Sequence, residues 1–130
     1  MSEKIFTLEE VEELIPLLEE TFKEIRMHRK YLAKISSEIT RAASHSESNG
    51  GTPYGPAYIK TMETLNQKIE TIQKKGVLIQ DIDRGLCDFP YISNGRTVYL
   101  CWKSGEPSLR WWHEIEKGFA GREKLEKLQD

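Results

Sequence analysis

Apolar residues recur every three or four positions along the first third of the chain, at Leu8, Val11, Ile15, Leu18, Phe22, Ile25, Leu32, Ile35 and Ile39. That spacing lays a heptad-like seam along one side of an α-helix, broken once where Arg29 takes an expected apolar place. Thr7 opens the helix as its N-cap, Glu10 completes a capping box, and Phe6 with Val11 forms a hydrophobic staple. Glu9, Glu10, Glu12 and Glu13 crowd the first turns, where the helix dipole favours negative charge. Pro16 sits inside the run, removes one backbone hydrogen bond and predicts a bend. A helix over residues 7–43 would be roughly 55 Å long. The Ser-, Gly- and Pro-rich stretch 44–56 then reads as a loop.

A second helix begins near Pro56 and repeats the spacing at Tyr58, Met62, Leu65, Ile69 and Ile72. Lys74 and Lys75 suit its C-terminal end and Gly76 its cap. Residues 7–75 therefore predict an antiparallel helical hairpin with arms of unequal length. The uncovered half of the first helix must pack on the rest of the chain, on a second copy, or on both.

From residue 76 to 122 the period falls to two. Val77-Leu78-Ile79 reads as a short strand running into Asp81 and Asp83. Ser93-Asn94-Gly95-Arg96 is a two-residue hairpin turn, because Asn-Gly accepts the positive φ angles of a type I′ turn. The register it sets pairs Tyr91 with Val98, Phe89 with Leu100 and Cys87 with Trp102, all on one apolar face. The other face pairs Asp88 with Cys101, Pro90 with Tyr99 and Ile92 with Thr97. Strand pairing on the outer side should stop by Pro90. A turn at residues 104–107 leads to a strand over 109–116, on which Trp111 and Trp112 point opposite ways. Residues 118–122 read as a loop and 123–130 as a short polar tail. The fold class predicted is α+β: a long helical hairpin, then a three- or four-stranded antiparallel meander, as a single domain over 1–130.

The C-terminal block carries the motifs GLCDFP (85–90), GRTVYLCW (95–102), GEP (105–107), WWHE (111–114) and GFAGR (118–122). With the opening FTLEEVEELIPLL, they resemble an uncharacterised bacterial family of small proteins, a domain of unknown function. The resemblance covers nearly the whole chain. It implies one full-length domain and supplies no activity, cofactor or catalytic residue.

Charge narrows the function classes. The net charge is −2 with 31% charged residues, so there is no basic surplus to argue for nucleic-acid binding. Arg26, Arg29, Lys30, Lys34 and Arg41 on the first helix, interspersed with Glu24 and Glu38, read as a solvated face rather than a phosphate stripe. No apolar run is long enough for a membrane span. An N-terminus without an apolar signal core makes export unexpected, and the compartment predicted is the cytoplasm, where both Cys would stay thiols.

The chemistry-bearing residues lie in the last third. Asp88, Glu106 and His113 form a ligand set suited to Zn, Mn or Fe, although no metal-spacing motif accompanies them. The plainer reading makes His113 a hydrogen-bonded histidine and the acids turn caps. Cys101 with His113 and Asp88 resembles a nucleophile–base–orienter set. A neighbouring carboxylate raises a thiol's pKa, however, and mid-strand placement offers no oxyanion donors, which favours Cys101 as a small core residue. GFAGR with Arg122 is a weak anion cradle, against which stands a simple turn with Arg122 paired to an acid. Trp111 or Trp112 must face a second surface. The ligand-binding candidates are accordingly Asp88, Glu106, Trp111, His113 and Arg122, with His113 the residue any site must include. The leading expectation is a non-enzymatic interaction module that self-associates through its helices as a homodimer and can take another protein partner. The alternative is a metal-dependent or small-ligand-binding enzyme around Asp88, Glu106 and His113.

Overall fold

The computed structural model describes residues 3–45 and 54–128, so residues 46–53 of the expected loop and the end of the polar tail lie outside it. The chain divides into two compact units, Lys23–Thr71 and the combination of Met1–Phe22 with Ile72–Asp130. Helix α1 (Leu8–His45) contributes to both, and α2 (Gly55–Lys74) follows it. No described helix is long and apolar enough to cross a membrane.

The unit Lys23–Thr71 is a helical hairpin. Ile25, Leu32, Ile35 and Leu65 are buried there, and Lys68 Nζ meets Glu24 Oε2 at 2.8 Å. Where the sequence set Arg29 on the seam, the structure leaves Arg29 exposed and half-buries His28 instead. The seam steps from Ile25 through His28 to Leu32, keeping the three–four alternation and letting the guanidinium reach water. Arg26, Lys30, Lys34 and Arg41 are also exposed, as a solvated face requires.

The second unit packs the first half of α1 on a sheet. The capping box forms as expected: Glu10 N donates to Thr7 Oγ1 at 3.1 Å, and Thr7 N to Glu10 Oε1 at 2.8 Å. Five antiparallel strands follow in the order β1 (Leu78–Asp81), β2 (Leu86–Ser93), β3 (Arg96–Lys103), β4 (Trp111–His113) and β5 (Glu123–Lys124). The β2–β3 register is the expected one, with Phe89 opposite Leu100, Cys87 opposite Trp102 and Asp88 opposite Cys101. Asn94 and Gly95 have φ values of 53° and 81°, as the turn demands. β1 pairs with β2 only as far as Asp88, and the carbonyl of Pro90 accepts instead from Phe6 N at 2.8 Å. The proline has no N–H for a ladder, so the N-terminal segment caps this edge through the carbonyl.

Two expectations need correction. The strand read over 109–116 is only three residues long, because Glu114–Lys117 turns away. The tail read as polar supplies a fifth strand, β5, which pairs Lys124 with Trp111 and Glu123 with Trp112. Its two exposed charged residues carry no apolar alternation by which a strand could be seen.

Phe89, Val98, Leu100 and Trp102 face the apolar side of α1. Phe6 meets Phe89 edge-on at 5.3 Å, and Phe22 lies 6.4 Å from Trp102. Val11, Leu18 and Phe22 are 0% exposed within the single chain. The bare apolar face from which a homodimer was expected is therefore covered by the protein's own sheet. The β3–β4 connection is pegged to the same helix: Gly105 N donates to Glu19 Oε1 at 2.7 Å, Leu109 N to Glu12 Oε1 at 2.8 Å, and Ser104 Oγ also bonds Glu19.

Candidate functional site

Alternation along the strands places a second set of side chains on the face opposite Phe89 and Leu100. Asp88 on β2 is the direct cross-strand partner of Cys101 on β3. On the other side of β3, Cys101 faces Trp111 and Tyr99 faces His113. Asp88, Cys101 and His113 thus converge from three consecutive strands. They are 2%, 1% and 1% exposed, and one donor atom from each lies within 4.8 Å of the others.

Buried polar groups must find partners, and those of His113 are informative. Nδ1 lies 2.7 Å from the carbonyl oxygen of Glu114, and Nε2 lies 2.9 Å from Asp88 Oδ1. A carbonyl has no hydrogen to give, so Nδ1–H donates to Glu114. For a neutral ring that leaves the Nε2 lone pair facing a carboxylate oxygen. Acceptor against acceptor at that separation requires a cation between them, either a proton or a metal ion. The Tyr99 ring stands edge-on to the imidazole at 5.7 Å.

Cys101 has the protonated character foreseen for it. Burial first, and the charge of Asp88 second, push its thiol up to about 12, with the Arg122 guanidinium pulling the other way. Cys87, on the apolar face, is pushed up further, mainly by burial. Neither is a nucleophile as it stands.

Arg122 and Glu106 form an adjoining pair. Glu106 accepts from Arg122 Nη1 and Nη2 at 2.8 and 2.6 Å and from Lys103 N at 2.7 Å. Arg122 Nη2 also donates to the Cys101 carbonyl at 3.2 Å, and the guanidinium stacks between Trp111 at 5.1 Å and Phe119 at 4.7 Å. The five residues singled out from sequence therefore sit in one network that passes through Cys101. Glu106 is not among the converging donors, however. It was the third ligand of the alternative, metal-binding reading, and both its oxygens are held by Arg122; Cys101 stands in its place. Arg122 is likewise no anion cradle, because its fork grips Glu106. The GFAGR amides of Gly121 and Arg122 close 3₁₀ turns onto Gly118 and Phe119. What sequence reasoning missed was the combination of a thiol with the metal set, although the hairpin register already put Cys101 across from Asp88.

A family model describing uncharacterized conserved proteins matches residues 4–125. The chain belongs to the DUF2203 family. No curated protein and no solved structure matches it. Membership in DUF2203 agrees with the resemblance read from the C-terminal motifs, and it assigns no chemistry to the network around His113.

Proposed function

We propose that this protein holds a divalent, zinc-type ion between Asp88 Oδ1, Cys101 Sγ and His113 Nε2. The observation that carries the reading is the oxygen acceptor on each side of the His113 ring, beside a buried thiol. A metal ion at Nε2 removes the acceptor conflict and takes the thiolate that burial otherwise disfavours. The Nδ1–H donation to the Glu114 carbonyl is the outer hydrogen bond that orients metal-binding histidines. Sulfur, nitrogen and oxygen together suit Zn²⁺, whose ordinary bond lengths set donors about 3–4 Å apart, so the His113–Asp88 pair at 2.9 Å opens slightly and the thiol, within 4.8 Å, adjusts to the ion. Three protein donors leave a tetrahedral ion one position short. Residue burial of 2% or less argues for holding the strands together before any reaction on a large substrate.

Elemental analysis of protein purified without a metal-affinity tag tests this. About one zinc per chain is expected, falling to background in Cys101→Ser and His113→Gln. Metal-free wild type that takes up no zinc when it is supplied would defeat the proposal, leaving a proton shared between Asp88 and His113 in a purely structural pin.

A second reading keeps the helical hairpin as an interaction module in a cytoplasmic setting. Its support is Met27 and Tyr31, one turn apart on α1 and 64% and 46% exposed, with Ile59 of α2 at 61%. Light scattering at micromolar concentration distinguishes self-association from a monomer that awaits another partner. Met27→Lys with Ile59→Lys should abolish any dimer found.

A further inference from the structure

We infer that the groove walled by Trp111 is a binding site for a small organic anion with a flat apolar body, an aromatic carboxylate in chemical class. The groove encloses about 660 Å³ and is lined by Leu8, Leu109, Arg110, Trp111, Lys124, Leu125 and Glu126. That size lies within the range of small-molecule sites, which are apolar clefts with a few polar groups that orient the ligand. Here Leu8, Leu109 and Leu125 supply aliphatic walls and Trp111 an indole.

Trp111 is half-buried and held in place, since the Arg122 guanidinium stacks on it and Lys124 pairs with it across the β4–β5 ladder. A fixed aromatic wall binds a flat ring at little entropic cost. The polar groups set the sign of the ligand. Arg110 and Lys124 bring two positive charges against the single carboxylate of Glu126. Neither cation has an ion-pair partner among the described residues. Arg110 Nε donates to Ser108 Oγ at 3.2 Å, which steadies the side chain and leaves its terminal nitrogens for a ligand oxygen. Both cations border the groove beside Trp111: Arg110 precedes it and its carbonyl accepts from Leu125 N at 2.8 Å, and Lys124 is its ladder partner. A carboxylate can lie between them with its ring against Trp111. Trp111 pairs with Cys101 across β3 and β4, but none of the groove's lining residues is a donor of the Asp88–Cys101–His113 cluster, so metal binding and carboxylate binding are read separately.

Calorimetric titration with three naphthalene probes tests it: naphthalene-2-carboxylate, the neutral 2-naphthylmethanol and the cationic 2-naphthylmethylammonium. The carboxylate should bind at least about tenfold more tightly than the alcohol, and the ammonium least of the three. Arg110→Ala with Lys124→Ala removes two exposed side chains, leaves the fold intact by circular dichroism, and should erase the carboxylate's advantage. Trp111→Leu should weaken the carboxylate and the alcohol together by about tenfold. Absence of carboxylate binding up to about 1 mM overturns the inference. So does equal affinity for acid and alcohol, or a preference that survives the double substitution.

Discussion

His113 is held through both ring nitrogens, Nδ1 on the Glu114 carbonyl and Nε2 on Asp88. Cys101 beside it should resist an aromatic disulfide reagent in the folded, metal-free protein and react only on unfolding, because its thiol is pushed up to about 12. Rapid labelling under native conditions would contradict the burial described. Gly85 offers a second test. Its φ is 64°, and an added Cβ would sit 2.7 Å from Ser104 Cβ and 3.1 Å from the Phe22 ring. Gly85→Ala should cost ~1–3 kcal/mol in urea denaturation, more than a surface Gly→Ala change. The sequence carried part of this. Asn94-Gly95 alone was enough to set Asp88 across from Cys101. The position of His113 was less legible, because β4 follows an irregular connection pinned by Glu12, which reads locally as helix-start charge, and by Glu19, which carries no local signal. Glu106 entered the alternative ligand set because nothing local reveals the Arg122 fork sixteen residues on.

Among the elements, α1 was the most legible and β5 the least, and the reason is the amount of surface each buries. Helix α1 has a capping box, first-turn acids and an apolar seam that agree on one answer. Thr7→Ala should lower stability by about 1 kcal/mol through loss of the N-cap bond. Glu10 is held below the usual carboxylate value of 4.5, first by the Thr7 backbone N–H and then by Lys4. Glu114, bonded to Arg96, and Glu24, bonded to Lys68, are lowered likewise. A folded pKa below the unfolded one gives stability that is present above the ordinary value and lost as pH falls through the folded value. The thermal midpoint should therefore drop on acidification below about pH 4.5, and Glu10→Gln should flatten that drop. A midpoint indifferent to pH across this range would count against these bonds in solution. β5 was illegible because Glu123 and Lys124 pair through backbone alone and bury no side chain.

At the scale of the whole chain, the sheet-bearing unit supplies the cover for α1 that the unequal helix lengths had assigned to a second copy. Phe22 is 0% exposed beside Trp102, so Phe22→Ala should cost about 3–5 kcal/mol as a core truncation. That loss should not depend on protein concentration, whereas a dimer-interface residue would make it concentration-dependent. Periodicity could show that the seam needed a partner; only the register of the meander shows that the partner is Phe89, Val98, Leu100 and Trp102. The same meander brings one carboxylate, one thiol and one imidazole from three strands to a buried point, and that convergence carries the functional account. Titration of metal-free protein with Co²⁺, a spectroscopic stand-in for zinc, tests it most directly. Saturation is expected at about one ion per chain, with a thiolate-to-cobalt charge-transfer band that disappears in Cys101→Ser. A wild-type protein that binds cobalt without that band, or binds none, would contradict it.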